Sequence, residues 1–262
     1  MPTPRTDTPL KVYWQPGCSS CLKTKEFLSE HGVAFVSVNV LADPHGYAEL
    51  EQLGLRNVPV VSRGREFVSG QILADVARIA GIKFEPKMLP VAELVAKQTL
   101  IQAATRRALA RLPESQLGTM MPNRPRSYAQ LVYHIFSIAE AFLDHEAGSP
   151  LTPSSYNRLP PPEMRSRAQL MAYGDWVGER LDSWWHGPAQ RRDFNAPAEV
   201  YYGKISVHDY LERSCWHAGQ HLRQLQLVLN KLGVPLDQPL TDQDFAGLPM
   251  PRNVWDDKLK FE

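Results

Sequence analysis

Hydrophobic spacing divides the chain in two. From Lys11 to about Ile82, short apolar runs of strand type alternate with helix-type spacing. Val12-Tyr13-Trp14 is a short strand that stops at Gln15-Pro16-Gly17. A helix follows over Cys18 to His31, with Leu22, Phe27 and Leu28 inward and Gly32 as its stop. Ala34 to Val40 alternates as a strand does, and a second helix fits around Tyr47 to Leu53. Val58-Pro59-Val60-Val61 and Glu66-Phe67-Val68 read as a hairpin turning at Gly64, and Ile72 to Ile79 closes the unit as a helix. A β-α-β then β-β-α order predicts a small sheet covered by helices.

The pattern changes at Lys83 to Pro90, where two prolines and lost periodicity mark a linker, taken here as 83–92. Long helical spacing then recurs four times: Glu93 to Leu112, Tyr128 to Glu146, Arg165 to Trp185, and Val207 to Leu232. Pro/Gly/Ser-rich loops separate these stretches, the longest from Gly148 to Pro162. Four such helices fit a bundle. The Pro-rich tail after Gly233 is expected to pack along it. The expected division is a flexible tail at 1–9, an α/β domain at 10–82, the linker, and an all-α domain at 93–262.

Composition narrows the partners. A net charge of +1 over 262 residues offers no strong positive field for phosphates, so no nucleic-acid partner is expected. The densest basic cluster, Arg106, Arg107 and Arg111, reads as a solvated helix face. No apolar run is long enough to span a bilayer, and Met1 to Thr8 is polar and Pro-rich, without the apolar stretch of a signal peptide. Three cysteines, two of them in one CxxC, do not make a disulfide framework. A cytoplasmic location without membrane contact is the expectation.

Cys18-Ser-Ser-Cys21 stands where a strand hands over to a helix. Only a thiolate is a good nucleophile, and a helix N-terminus favours negative charge on Cys18. Cys21, one turn on, is placed to attack a mixed disulfide on Cys18. A zinc knuckle would need two more Cys or His ligands at knuckle spacing, which His31 and His45 do not have.

The segment Tyr13-Trp-Gln-Pro-Gly-Cys-Ser-Ser-Cys-Leu-Lys-Thr-Lys resembles the active-site segment of glutaredoxins, most closely the NrdH-redoxin branch. Asn57-Val58-Pro59 falls where that family has its cis-proline loop, and Phe67-Val68-Ser69-Gly70 near its Ser-Gly turn. The resemblance covers residues 10 to 82 and implies a thioredoxin-like fold. It also implies a catalytic Cys18 and Cys21, and a cis Pro59 facing Cys18 with the Val58 backbone available to a substrate. Its implied partners are a small thiol or disulfide and a reductant, either glutathione or of the thioredoxin reductase type. Gln15 departs from the lysine common before the CxxC in glutaredoxins, which speaks against glutathione as the preferred reductant.

His217 and His221, four apart on the last helix, stack on one face. Leu211, Cys215, Ala218, Leu222, Leu225 and Leu229 form the core stripe, and Ser214, His217, His221 and Gln224 the row beside it, half turned inward. Imidazoles at this spacing can share a metal, with His134 on the second helix as the best third ligand. Spacing alone leaves open the alternative of two polar residues at the core edge, bonded to water. A metalloprotease helix is excluded because Ala218 stands where its Glu belongs, and no Glu-x-x-His occurs for a carboxylate di-metal bundle. Cys215 reads as a buried thiol, His145 and His208 as local helix-end residues, and Trp176, Trp184 and Trp185 as core.

Leu131-Val-Tyr-His134-Ile-Phe with Cys215-Trp-His217-Ala-Gly-Gln-His221-Leu-Arg-Gln resembles the DinB-like superfamily of four-helix bundles, over residues 90 to 262. That resemblance implies a divalent metal held by His134, His217 and His221, zinc first with nickel or iron as alternatives. It also implies a frequent dimer, and relatives that include S-transferases dependent on a thiol cofactor. The joint expectation is a thiol enzyme in which the dithiol serves the metal site. Two alternatives stand beside it: a plain thiol-disulfide oxidoreductase with a partner-binding bundle, and a non-catalytic redox or metal sensor.

Overall fold

The computed structural model describes residues 8–122 and 124–255, which form two compact units. Most of the flexible tail expected at 1–9 lies outside the described residues, as does the chain from 256 onward. Among the described residues no helix is long and apolar enough to cross a membrane.

The first unit comprises the described residues up to Lys87 together with Pro251 to Trp255. Its elements are β1 (Leu10–Trp14), α1 (Ser19–Glu30), β2 (Val36–Asn39), α2 (Pro44–Gln52), β3 (Val60–Arg63), β4 (Glu66–Ser69) and α3 (Leu73–Ala80). The sheet order is β2-β1-β3-β4, with β1 parallel to β2 and antiparallel to β3, and β3 antiparallel to β4. Successive side chains of a strand point to opposite faces. Leu10 and Val12 therefore join Val61 and Val68 in burying Phe27 and Leu28 of α1 and Val76 and Ile79 of α3. On the other face Tyr13, Val38, Val40 and Val60 pack around Leu50 of α2. There Glu49 accepts from Lys11 at 2.7 Å and from the Tyr13 hydroxyl at 2.7 Å. Burial, then the Glu49 bond, pushes the Tyr13 hydroxyl up to about 12.

Two expected boundaries shift. The second helix starts at Pro44 rather than near Tyr47, because the Asp43 carboxylate accepts from the His45 amide at 2.9 Å and Pro44 takes the first helical turn. The linker does not begin at Lys83. Ile82 and Phe84 pack against the first core, with the Phe84 ring edge-on to Phe27 at 5.0 Å.

The second unit spans 88–250 and is built on α4 (Val91–Arg111), α5 (Tyr128–Glu146), the one-turn α6 (Pro153–Tyr156), α7 (Arg167–His186) and α8 (Val207–Lys231). The four long helices match the four expected stretches to within two residues at either end. They pack as α4 on α5, α7 and α8, and α5 on α7 and α8. Ser127, Ser166 and Ser206 begin α5, α7 and α8 with capping boxes, each serine oxygen accepting from the amide three residues on. Between α7 and α8 lies an unexpected hairpin, β5 (Pro197–Val200) and β6 (Gly203–Ser206).

The tail from Gly233 packs on α4 and α8 as expected, but only to Met250. Gln226 bonds both backbone groups of Leu240, and Lys97 donates to the Asp244 carbonyl at 2.8 Å. The basic cluster is not merely a solvated face. Arg107 and Arg111 donate to the carbonyls of Gln238 and Pro235, and Arg106 pairs with Asp175. Residues 251–255 cluster with the first unit instead, where Glu26 accepts from the amides of Arg252 and Asn253 and Glu30 pairs with Arg252.

Candidate active site: a helix-capping dithiol and a buried histidine triad

Strand β1 ends at Trp14, and Gly17 turns the chain with φ of 90° so that Cys18 becomes the N-cap of α1. The Cys18 sulfur accepts from the Cys21 amide at 3.1 Å. That donor, with the other free amides of the first turn, stabilises negative charge on Sγ once the sulfur is reduced. Cys18 and Cys21 are joined as a disulfide with Cα atoms 5.1 Å apart, Cys18 half-buried and Cys21 fully buried.

The Val58–Pro59 bond is cis, and the Val58 carbonyl oxygen lies 4.0 Å from the Cys18 sulfur. Pro59 is held from behind. Its carbonyl accepts from the Gly70 amide at 2.8 Å, and the Thr24 hydroxyl donates to the Gly70 carbonyl at 2.6 Å. A Cβ on Gly70 would stand 2.7 Å from Pro59 Cβ and 3.1 Å from Thr24 Oγ1, so only glycine fits between them. Lys25 sits 3.3 Å over the Trp14 ring beside this segment.

In the second unit, packing of α5 against α8 brings His134, His217 and His221 together, with one ring nitrogen of each within 4.8 Å of the others and all three rings buried. The row beside the α8 core stripe is buried outright rather than half turned inward: Ser214 and Gln224 are enclosed as well. Gln224 Oε1 lies 2.8 Å from His221 Nδ1. An amide oxygen only accepts, so this bond puts the proton on Nδ1 and leaves the Nε2 lone pair facing the cluster. The Nε2 atoms of His217 and His221 are 2.9 Å apart. Nδ1 of His134 and Nδ1 of His217 are buried with no hydrogen-bond partner among the described residues. Burial, then the charges of Arg126, Arg213 and the neighbouring imidazoles, holds the His134 and His217 rings well below the usual histidine range. His221 is lowered likewise, although its Gln224 bond opposes the shift. Three neutral imidazoles, that of His221 with its lone pair turned inward and those of His134 and His217 each with an orphaned buried nitrogen, suit a divalent metal of the zinc, nickel or iron type.

Tyr156, at the end of α6, completes the cluster with its hydroxyl 2.7 Å from His217 Nε2. The segment carrying it is anchored from behind. Arg158 donates to the Ser155 carbonyl at 2.8 Å and pairs with Glu140 at 2.8 Å and Asp144 at 2.9 Å on α5. Hydrophobic spacing does not single out Tyr156 and predicts loop from Gly148 to Pro162. A signal existed in Thr152-Pro-Ser-Ser, since Thr152 caps α6 and Pro153 takes its first position.

The other sequence-marked residues stand apart from both sites. Cys215 is buried, its thiol donating to the Leu94 carbonyl at 3.2 Å, and burial pushes it well above the usual thiol range. His145 packs edge-on to Tyr210. His208 is not local, since its Nε2 bonds the distant Leu89 carbonyl at 2.8 Å. Trp184 is core, but Trp176 is exposed and carries Arg180 against its ring.

Residues 10–68 match the family described as Glutaredoxin. The chain is also 30% identical over 69 residues to the glutaredoxin-like protein NrdH of Lactococcus lactis, spanning 26% of this chain and 96% of that protein. The chain belongs to the glutaredoxin family. A glutaredoxin-like protein of 8.6 kDa from the rubredoxin operon of Clostridium pasteurianum is 32% identical over 71 residues, 27% of this chain and 95% of that one. Residues 99–225 match the DinB superfamily, which gives this glutaredoxin a DinB domain as its second part. Among solved structures, a DinB-like protein from Bacillus cereus is similar at 11% identity and a TM-score of 0.45, over 56% of this chain and 96% of that one.

Proposed function

We propose that this chain is a thiol-dependent enzyme in which the dithiol of the glutaredoxin domain serves a three-histidine metal site in the DinB domain. Its reaction is thiol transfer to, or reduction of, a small electrophile or disulfide. One observation supports this reading: the chain carries both a dithiol on a helix N-terminus and a buried cluster of three neutral imidazoles.

Reduced Cys18, as thiolate, attacks one sulfur of a disulfide, and the other sulfur leaves as a thiolate that takes up a proton. Cys21, as thiolate, then attacks the Cys18 sulfur, releases the second half as a thiol, and leaves the Cys18–Cys21 disulfide. Two electrons pass to the substrate, and an external thiol or a reductase of the thioredoxin reductase type returns them. Val58 offers backbone groups beside the reacting sulfur, and Pro59 shapes that wall.

In the bundle His134, His217 and His221 would hold the ion. When bound by three imidazoles, a divalent ion supplies an open Lewis-acid position that stabilises a thiolate at neutral pH. The chain's own contribution is a fixed His221 tautomer and a buried surround that keeps bulk water out.

The test uses the full chain and a panel of small electrophiles. Cys18→Ser should abolish multiple turnover while sparing metal content and a first turnover. His217→Ala should abolish turnover of the electrophile while leaving reduction of a generic small disulfide nearly intact. Should Cys18→Ser turn over as fast as the wild type with the same reductant, the dithiol does not serve the bundle and this reading fails.

A further inference from the structure

The first unit holds a cavity of about 650 Å³ that takes no part in the chemistry above. Leu50 of α2 covers Tyr13, Val38, Val40 and Val60, and the cavity opens beside that packing, over the β3–β4 hairpin. The strand register sets Lys11 opposite Ser62 and Ser62 opposite Phe67, so these side chains form one row on the α2 face. Phe67 ends the row 40% exposed, and Leu53 at the end of α2 lines the same space. Thr8 walls off the turn, its Cγ2 lying 3.7 Å from where a Cβ on Gly64 would stand. The charged lining is Lys11, Arg65 and Glu49. Glu49 is already engaged, accepting from Lys11 at 2.9 and 2.7 Å and from the Tyr13 hydroxyl at 2.7 Å. Glu66, next to Arg65 in the chain, pairs with Arg78 at 2.9 Å instead. Among the described residues no carboxylate pairs with Arg65, and none accepts the third N–H of Lys11.

We propose that this cavity binds a small aromatic carboxylate, its acid group held by Arg65 and the remaining N–H of Lys11 and its ring laid against Phe67 and Leu53. The volume falls in the range of small-molecule sites, roughly 300–1,000 Å³. Two cations against one carboxylate leave a single positive charge, which suits a monoanion; a dianion would face Glu49 as well. The planar guanidinium offers a carboxylate two parallel N–H bonds, and an aromatic body gains ring contact with Phe67 that an aliphatic one does not. Binding here is separate from the dithiol, because α1, which Cys18 caps, packs on the opposite face of the sheet.

The probe is benzoate, with benzamide as its uncharged match and propionate as an anion without a ring, titrated into the full oxidised chain. Binding is read from backbone amide resonances by NMR. Benzoate should shift Ser62, Gly64 and Phe67 saturably at millimolar concentration, and benzamide and propionate should bind several-fold more weakly. Arg65→Gln should weaken benzoate binding about three- to tenfold, and Phe67→Thr by a similar factor. Arg65→Lys should fall between, since charge survives without the planar fork. Arg65 and Phe67 are both exposed, so these variants leave the core intact. Reduction of a small disulfide should run at the wild-type rate in Arg65→Gln and in the presence of benzoate. No saturable shift at these amides, equal binding of benzamide, or benzoate affinity unchanged in both Arg65→Gln and Phe67→Thr overturns the proposal. So does competitive inhibition of disulfide reduction by benzoate that persists in Arg65→Gln, which would put the anion at Cys18.

Discussion

The hydroxyl of Tyr156 lies 2.7 Å from Nε2 of His217, tying the one-turn helix α6 to the last helix of the bundle. Both groups are buried, so removing the hydroxyl leaves a ring nitrogen that has lost one partner. Tyr156→Phe keeps the ring under Arg213 and should destabilise the metal-free protein by about 1–2 kcal/mol. The urea midpoint should fall with an unchanged slope. An unchanged midpoint would mean that water replaces the hydroxyl without cost.

The two sulfurs of the dithiol should differ in reactivity. Cys18 caps α1, accepts an amide hydrogen bond and is half-buried, whereas Cys21 is fully enclosed. Cys18 in a Cys21→Ser chain should be alkylated by iodoacetamide roughly tenfold faster than Cys21 in a Cys18→Ser chain. Faster reaction at Cys21 would reverse the assigned roles.

Metal content should depend on all three imidazoles. Two remaining ligands bind a divalent ion weakly, so each single His→Ala variant of His134, His217 and His221 should lose most of its zinc. In the wild type, free zinc at a hundred times its dissociation constant should stabilise the fold by about 2.7 kcal/mol. Full occupancy in His134→Ala, measured by elemental analysis after dialysis, would remove that residue from the site.

Stability of the metal-free chain should fall as the solution is acidified. The triad rings are neutral when folded and titrate well below the ordinary value of about 6.5, first because of burial. Between that value and the lower folded one, the unfolded chain binds more protons, so acid favours unfolding. The loss is about 1.4 kcal/mol per pH unit for each imidazole. Urea midpoints followed from about pH 7 to about pH 5 should show this slope, and His217→Phe should make it shallower. A flat profile in the wild type would mean that the rings are not held neutral.

Gly70 should prove to be a positioning residue for the dithiol wall. A methyl group there would meet Pro59 at 2.7 Å, so Gly70→Ala must push the Val58–Pro59 segment or Thr24 aside. Overpacking of this kind costs about 1–3 kcal/mol. Reduction of a small disulfide should slow while the zinc content of the bundle stays unchanged. Wild-type rates in a folded Gly70→Ala chain would show that the segment can shift without consequence.

Much of this architecture is legible locally. The strand Val12-Tyr13-Trp14, the Gly17 turn and the Cys18 cap lie within one short window, so hydrophobic alternation and capping chemistry locate the dithiol. The same holds for the bundle helices, whose serine caps and 3.6-residue spacing place Tyr128 to Glu146 without reference to any neighbour. His217 and His221 share a face because of helical pitch alone. Local signals proved weaker where packing decides. Spacing alone predicts linker at Phe84, which packs on Phe27, and a local helix-end role for His208, which bonds the Leu89 carbonyl.

By itself, then, the sequence determined the order of elements, the position of the CxxC at a helix start, and the pairing of two histidines on one helix. Each follows from backbone geometry acting over a few residues. Only the tertiary structure decided that Tyr156 joins the histidines, that Arg213 stacks one ring away from them, and that Gly70 backs Pro59. Tyr156 and His217 lie 61 positions apart, and Gly70 meets Pro59 across the β3–β4 hairpin. Which side chains meet there depends on how whole helix and sheet faces bury their apolar surface against one another, and spacing along a single segment does not encode that.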